Sequence, residues 1–147
     1  MTNLIDKPTI YVTRRWPEQA EAALYQHFAP TFNMTDEAIS QATLVDVLTA
    51  YDGIASWSSD RIDAGVIAAA SGGRAKIIAN FGVGVDHIDV AAARAAGIAV
   101  TNTPGVLTDA TADLTMTLML MTMRRAGDGE RLLRACLLYT SPSPRDS

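Results

Sequence analysis

The chain has 147 residues, of which 48% are hydrophobic and 19% are charged, and its formal net charge is −4. This composition excludes a charge-rich disordered chain and permits one packed core of ordinary size. The acidic balance, with no run of Lys or Arg longer than two, argues against nucleic acid as a partner.

The sequence also argues against a membrane protein, a secreted protein and a metal protein. It contains no run of 18 apolar residues, which a transmembrane helix would need. The N-terminal MTNLIDKPTIYV lacks the basic-then-apolar order of a signal peptide. A single cysteine excludes an internal disulfide and a multi-thiolate metal site. We therefore expect a soluble, cytoplasmic α/β protein.

The first half of the chain alternates strand and helix signals. A β-branched and aromatic run predicts a strand over 9–13. Pro17 opens a helical pattern that continues to Phe28. A weaker strand is predicted over 31–33, and Ser40 is placed to cap the next helix.

The alternation continues through the middle of the chain. Strands are predicted over 53–57 and 75–80. Between them, Asp60 is a start signal for a helix that ends near Ala70. Asp89 is predicted to cap a short helix after the second of these strands.

The last predicted elements are a strand over 98–101 and a long helix. Thr108 is placed to cap this helix, which runs to about Arg125. Apolar residues lie on most of its sides, so we expect it to be buried between partners. The four methionines from Met116 to Met123 are interpreted as core packing rather than as a cofactor site.

Residues 136–147, CLLYTSPSPRDS, differ abruptly in composition from the segment before them. The string resembles a translated sequencing adaptor, and the alternative is a native flexible tail rich in Ser and Pro. In either case it is excluded from fold prediction. The first interpretation implies a non-native tail on an N-terminal fragment.

Five strands alternating with helices predict an α/β fold, a flavodoxin-like doubly wound parallel sheet with strand order 2-1-3-4-5. In such sheets ligands bind beyond the carboxyl ends of the strands. This points to the loops after Thr13, Trp57, Asn80 and Thr101. A phosphoacceptor receiver domain has a similar sheet, but residues 13–15 (Thr-Arg-Arg) replace the acidic pair it requires.

The loop that begins at Asn80 is the strongest candidate binding site. In Gly82-Val83-Gly84, glycines at alternate positions would let the backbone turn sharply and leave amide N–H groups open to a carboxylate or phosphate. A plain tight turn between strand and helix is the structural alternative. The segment is not a dinucleotide fingerprint, because His87 occupies the third glycine position and the later acidic residue is missing.

Two contiguous motifs resemble the D-isomer-specific 2-hydroxyacid dehydrogenases, most closely the glyoxylate/hydroxypyruvate reductase branch. The first is Asn80-x-Gly-x-Gly-x-Asp-x-Ile-Asp89, and the second is TNTPGVLTDATAD from Thr101 to Asp113. A weaker match, DGI…DRID, lies upstream over 52–63. The resemblance covers essentially all of residues 1–135.

The resemblance implies a division into domains. Residues 1–100 would be the N-terminal segment of a substrate (catalytic) domain, and residues 101–135 would be the crossover and interdomain helix of the NAD-binding domain. The chain would then be truncated before the Rossmann NAD-binding core. The full enzyme would pass a hydride between NAD or NADP and a small 2-keto/2-hydroxy acid, and relatives form homodimers.

The resemblance also assigns site residues. The backbone amides of Val83 and Gly84 would hold the substrate carboxylate, Trp57 and Ser58 would line the substrate pocket, and Thr108 would lie near the cofactor unless it serves only as a helix cap. Trp57 is otherwise a core residue. An NAD-sensing corepressor related to these enzymes is the alternative function.

No catalytic residue is assigned. The family's acid/base histidine, its carboxylate partner and its arginine would all follow residue 135. His27 lies on a predicted surface helix, and relatives place other residues at His87, so neither is interpreted as that histidine. Asp86 and Asp89 are interpreted as turn and cap residues. The chain by itself is therefore expected to be inactive.

Overall fold

The computed structural model describes residues 7–137. Five strands form one sheet: β1 (Thr9–Val12), β2 (Ala29–Phe32), β3 (Gly53–Ser56), β4 (Ile77–Asn80) and β5 (Ala99–Thr101). Six helices accompany them: α1 (Glu18–His27), α2 (Gln41–Ala50), α3 (Ala64–Ala69), α4 (Val90–Ala95), α5 (Thr108–Met123) and α6 (Ala126–Arg134).

All pairings in the sheet are parallel, and the strand order is β2-β1-β3-β4-β5. This confirms the predicted doubly wound topology. Val12 pairs in register with Ala55, and Ala55 pairs with Ala79. The carboxyl ends of β1, β3 and β4 therefore lie side by side, and we call this side of the sheet the carboxyl edge.

Apolar side chains cover both faces of the sheet. On one face, residues of α2, α3 and α4 pack on β3 and β4, with Leu44, Ile54 and Ile78 almost fully buried. On the other face, a smaller cluster around Val12 and Ala55 contacts α1. Ile54 and Ala55 are consecutive residues of one strand, so they point to opposite faces. The central strand β3 is accordingly buried along its whole length.

Helix caps agree with the sequence at two positions and differ at two others, Asp60 and Thr108. Ser40 accepts a hydrogen bond from the Thr43 amide, and Asp89 accepts one from the Ala92 amide. Asp60, in contrast, does not begin α3. Asp63 is the cap, since its side chain accepts from the Val66 amide, and Asp60 is buried.

The chain divides into two compact units between Pro104 and Gly105. The second unit contains α5 and α6, and α6 was not predicted. They are joined at Arg125, whose backbone is left-handed with φ 51°. No helix within residues 7–137 is long and apolar enough to cross a membrane.

Helix α5 departs from its prediction at its start, and its side chains are exposed in the single chain. Thr108 does not cap it: Leu107 precedes the helix, and no side chain makes a cap hydrogen bond. The helix has no buried residue, so its methionines are not packed in a core in this chain. Met123, for example, is 76% exposed. Of the tail over 136–147, only Cys136 and Leu137 belong to the described residues.

Asp52 links the start of β1 to the segment before β4. Its carboxylate accepts hydrogen bonds from the Thr9 amide and hydroxyl, both at 2.8 Å, and from the Arg74 guanidinium at 2.8 Å. The two bonds from Thr9, followed by the contact with Arg74, lower the pKa of Asp52 to about 2. The carboxylate form therefore stabilises the folded chain.

We expect Asp52 to contribute to acid sensitivity. Because its folded pKa lies below the ordinary 3.8, its stabilising effect is present above about pH 4 and is lost as the pH falls toward 2. Urea unfolding of the parent and Asp52→Asn chains at neutral and acidic pH measures this. The variant should lose less stability on acidification. The Arg74→Met chain should keep most of the parent's loss of stability on acidification. If that pH dependence disappeared in Arg74→Met, the leading role of Thr9 would be contradicted.

Candidate functional site

Asn80 fixes the loop that follows β4. Its side chain is buried, and its Nδ2 donates to the carbonyls of Gly82 at 3.1 Å and Gly84 at 2.9 Å. Its Oδ1 lies 3.0 Å from His87 Nε2. One buried amide side chain thus holds two loop carbonyls and one ring.

The segment directly after β5 holds the same loop as well. The Thr103 amide donates to the Gly82 carbonyl at 3.0 Å, and Asn102 Nδ2 donates to the Val83 carbonyl at 2.8 Å. The three consecutive carbonyls from Gly82 to Gly84 are therefore all hydrogen-bonded. The loop is held in place without help from a ligand.

Two consecutive amides of the same loop, those of Val83 and Gly84, are free, whereas the Gly82 amide donates to the Asn80 carbonyl at 3.1 Å. Among the described residues, no group accepts a hydrogen bond from the backbone N–H of Val83 or Gly84. Val83 is 50% exposed. A Cβ at Gly84 would meet only the Asp86 carboxylate, at 3.7 Å, and Gly84 does not have a positive φ. The backbone bends over residues 81–83 without a positive φ at either glycine. What Gly84 contributes is the absence of a side chain beside the amides.

Trp57 and Ser58 follow β3 at the carboxyl edge. The Trp57 ring stacks on Phe81, with centroids 4.8 Å apart and planes 15° apart. Phe81 directly precedes the loop glycines, so Trp57 lies beside the loop that carries the free amides. Ser58 is exposed at the tip of its own turn.

Asp60 holds the Trp57 turn and is a residue whose role the sequence did not reveal. It is fully buried, and its Oδ2 accepts from the Trp57 amide at 2.7 Å and from the Thr13 hydroxyl at 2.5 Å. The Asp60 amide donates to the Trp57 carbonyl at 2.9 Å. Thr13 is 47 positions away from Asp60 in sequence. Local spacing could not reveal this contact, and it indicated only a helix start at Asp60.

Replacing Asp60 with alanine should lower the free energy of unfolding by about 2 kcal/mol, because the Trp57 amide and the buried Thr13 hydroxyl lose their shared acceptor. Chemical denaturation measures the loss, and tryptophan fluorescence should show that Trp57 leaves its stack. The matched control is Ser59→Ala in the same turn, where Ser59 is exposed. A loss no larger than the control's would contradict the role of Asp60.

A cleft of about 660 Å³ adjoins this edge but is unsuited to a carboxylate. Of the predicted site residues it contains only Ser58, and three aspartates line it with a single arginine: Ser58, Ser59, Arg61, Asp63, Asp86, His87 and Asp89. Like charges repel, so an anionic ligand is disfavoured there. Within residues 7–137, no group of His, Cys, Asp and Glu is placed to hold a metal ion.

The structure brings Val83, Gly84, Trp57 and Ser58 to the carboxyl edge of the first unit. Thr108 belongs to the second unit, where it is the first residue of α5 and is exposed. Its hydroxyl makes no hydrogen bond to a described residue, so it is free to contact a ligand.

Comparison with known proteins gives one family. Residues 10–143 match a family model described as the catalytic domain of D-isomer specific 2-hydroxyacid dehydrogenases. Glyoxylate reductases of Thermococcus onnurineus and Thermococcus kodakarensis are 39% and 40% identical over 129 residues. Each alignment covers 88% of this chain and 38% of the relative. The chain thus spans under two-fifths of the length of these curated relatives.

Solved structures give the same result. A putative D-isomer specific 2-hydroxyacid dehydrogenase from Polaromonas is similar with a TM-score of 0.72 and 33% identity over 94% of this chain and 43% of its own. An NADPH-dependent glyoxylate/hydroxypyruvate reductase from Sinorhizobium meliloti, in complex with NADP and malonate, has a TM-score of 0.71 and 31% identity, over 95% and 43% respectively.

Proposed function

The chain belongs to the D-isomer specific 2-hydroxyacid dehydrogenase family, and from that membership we propose that it forms part of an enzyme that reduces a small 2-keto acid with NADH or NADPH. The names of the similar proteins support a substrate of the glyoxylate or hydroxypyruvate type. In this proposal, residues 1–100 belong to the substrate domain and residues 101–135 lead into the nucleotide domain. The division between Pro104 and Gly105 supports that arrangement.

One observation carries the proposed substrate site: the carbonyls of the 82–84 loop are all bound, while the amides of Val83 and Gly84 have no acceptor among the described residues. Two neighbouring free amides suit a carboxylate, which can accept a hydrogen bond on each oxygen. The substrate carboxylate binds there, and Trp57 and Ser58 line the space beside it.

A nicotinamide cofactor, when bound, supplies the hydride. Thr108 fits a contact with it, since its hydroxyl is exposed and unpaired among the described residues. The sequence has no G-x-G-x-x-G segment, so this chain provides at most a part of the cofactor site. In the complete enzyme, which we propose to be a cytoplasmic homodimer, a partner surface covers the apolar side chains exposed on α5.

Glyoxylate binding tests the substrate site. Titration of the ¹⁵N-labelled chain should shift the amide resonances of Val83 and Gly84, with a dissociation constant of about 1 mM. Acetone, which has the ketone without the carboxylate, should leave both resonances in place. Val83 and Gly84 resonances that do not respond to glyoxylate would overturn the site.

The chain alone should not oxidise NADH or NADPH in the presence of glyoxylate. General acid catalysis needs a group of suitable pKa at the reacting oxygen. Neither histidine fits the acid/base pair of the family, because His87 contacts the Asn80 amide and His27 contacts the Phe28 ring rather than a carboxylate. Absorbance at the reduced-nicotinamide band measures turnover, and oxidation above a no-protein control would contradict this expectation.

A further inference from the structure

Three aromatic rings lie next to one another at the carboxyl edge, one pair stacked and the other tilted. Phe81 lies between the two tryptophans: its centroid is 4.8 Å from that of Trp57 and 5.2 Å from that of Trp16. Each ring follows a different strand, namely β1, β3 or β4. We call Trp16, Trp57 and Phe81 the aromatic wall.

The aromatic wall is only partly explained by core packing. Trp16 contacts the smaller buried cluster, but neither Trp57 nor Phe81 belongs to either cluster. Phe81 is 39% exposed. An apolar ring left open to solvent beside the free amides costs free energy that a ligand could recover.

The backbone of each wall residue is held in place by a hydrogen bond from its amide. The Trp57 amide donates to the buried Asp60 carboxylate at 2.7 Å, and the Phe81 amide donates to the Ser56 carbonyl at 2.9 Å. The Trp16 amide donates to Glu21 at 2.9 Å. A wall that is rigid before binding loses little conformational entropy when a ligand contacts it.

The aromatic wall lies within reach of a ligand held by its carboxylate. Phe81 precedes Val83 by two residues, so their Cα atoms are at most about 7 Å apart. The substituent of a 2-keto acid begins one carbon beyond the carboxylate and its neighbouring carbonyl. A planar substituent the size of a benzyl group can therefore span from the Val83 amide to the Phe81 ring.

We propose that the aromatic wall binds the substituent on the keto carbon, so that this site takes 2-keto acids with a flat apolar substituent, such as phenylpyruvate, more tightly than glyoxylate. This rests on the proposed function and extends its substrate class. Glyoxylate carries only hydrogen at that position and gains nothing from the rings. Aromatic contact is expected to make phenylpyruvate binding about three- to tenfold tighter.

The test is a parallel NMR titration of the ¹⁵N-labelled 147-residue chain with glyoxylate and phenylpyruvate. The chain contains two tryptophans, and both belong to the wall, so each indole N–H resonance reports on it. Both ligands should shift the Val83 and Gly84 amides. Phenylpyruvate should bind three- to tenfold more tightly and should also shift the indole resonances, which glyoxylate should not.

The outcomes separate the two proposals. Equal affinity for both ligands, with unmoved indoles, would overturn the role of the wall and leave the carboxylate site standing. No response of Val83 and Gly84 to either ligand would overturn both. Benzyl alcohol, which has the ring without the carboxylate, should shift neither the Val83 and Gly84 amide resonances nor the indole resonances. If it shifted the indole resonances as much as phenylpyruvate does, the proposal would also be overturned.

A substitution provides an independent measurement. Phe81→Leu keeps an apolar side chain but removes the central ring, so the affinity ratio of phenylpyruvate to glyoxylate should fall toward one. The matched control is Tyr25→Leu, since Tyr25 is an aromatic residue of α1 that is 55% exposed and stacks on Phe32 rather than on the wall. The control should keep the parent ratio, and an unchanged ratio in Phe81→Leu would contradict the proposal.

Discussion

Replacing Asn80 with leucine is expected to weaken glyoxylate binding at least tenfold and to lower the free energy of unfolding by about 2 kcal/mol. Leucine has a similar volume but cannot donate to the carbonyls of Gly82 and Gly84, which Asn80 holds at 3.1 and 2.9 Å. Without these bonds the loop samples other conformations. The amides of Val83 and Gly84 are then no longer held in fixed positions next to each other.

The control for this variant is Asn102→Ala. Asn102 holds one carbonyl of the same loop, that of Val83, and it does so from an exposed position. Its loss should weaken binding by about two- to threefold. Isothermal titration calorimetry and urea unfolding measure the two effects. If Asn102→Ala weakened binding as much as Asn80→Leu, the buried amide would not be the main support of the loop.

Replacing Gly73 with alanine should cost about 3 kcal/mol of folding free energy. A Cβ at Gly73 would lie 2.6 Å from the Leu48 carbonyl oxygen, 2.8 Å from that of Ala70 and 2.8 Å from the Thr49 Cα. All three are backbone atoms, which cannot move aside as the end of a side chain can. The next two amides of the segment donate to the carbonyls of Thr49 and Leu48, both at 3.1 Å, so moving it also breaks these bonds.

The neighbouring glycine supplies the control. Gly72 has φ +80°, and a Cβ at this position would have no atom within 4 Å, so Gly72→Ala adds backbone strain alone, about 1 kcal/mol. Thermal and urea denaturation of both variants compare the two costs. Equal losses would show that the close approach at Gly73 is relieved by local adjustment.

Local sequence signals predicted most of the fold because the fold repeats one unit, a strand followed by a helix. A β-branched and aromatic run marked β1, the weak strand predicted over 31–33 overlaps β2 only in part, and Ser40 and Asp89 began helices as expected. The right-handed crossover rule then restricts the topology to few choices, and the observed order agrees with the predicted one. Periodicity could not reveal the exposure of α5, because an apolar helix is typical of burial whether or not its partner belongs to the same chain.

The sequence predicted which backbone amides of the candidate site are accessible, but not the side chains that hold the site in place. The Gly82-Val83-Gly84 pattern indicated accessible amides, which local sequence can do. The bond from Thr13 to Asp60 joins residues 47 positions apart, and the bond from Asn102 to Val83 joins residues 19 apart. Such contacts depend on strand register, so no local pattern indicates them. The stacking of Trp57 on Phe81 has the same origin.

The strand order has a consequence for folding during synthesis. Once β3 has paired with β1, β4 adds beside β3 and β5 adds beside β4. Each of these strands therefore pairs with the strand that was synthesised just before it. The Val83 carbonyl, however, gains its donor only when Asn102 follows β5, and the Gly82 carbonyl then gains the Thr103 amide as a second donor beside Asn80. A nascent chain therefore completes its sheet before its ligand loop has all of its hydrogen bonds, and the last of these bonds form after β5 has docked.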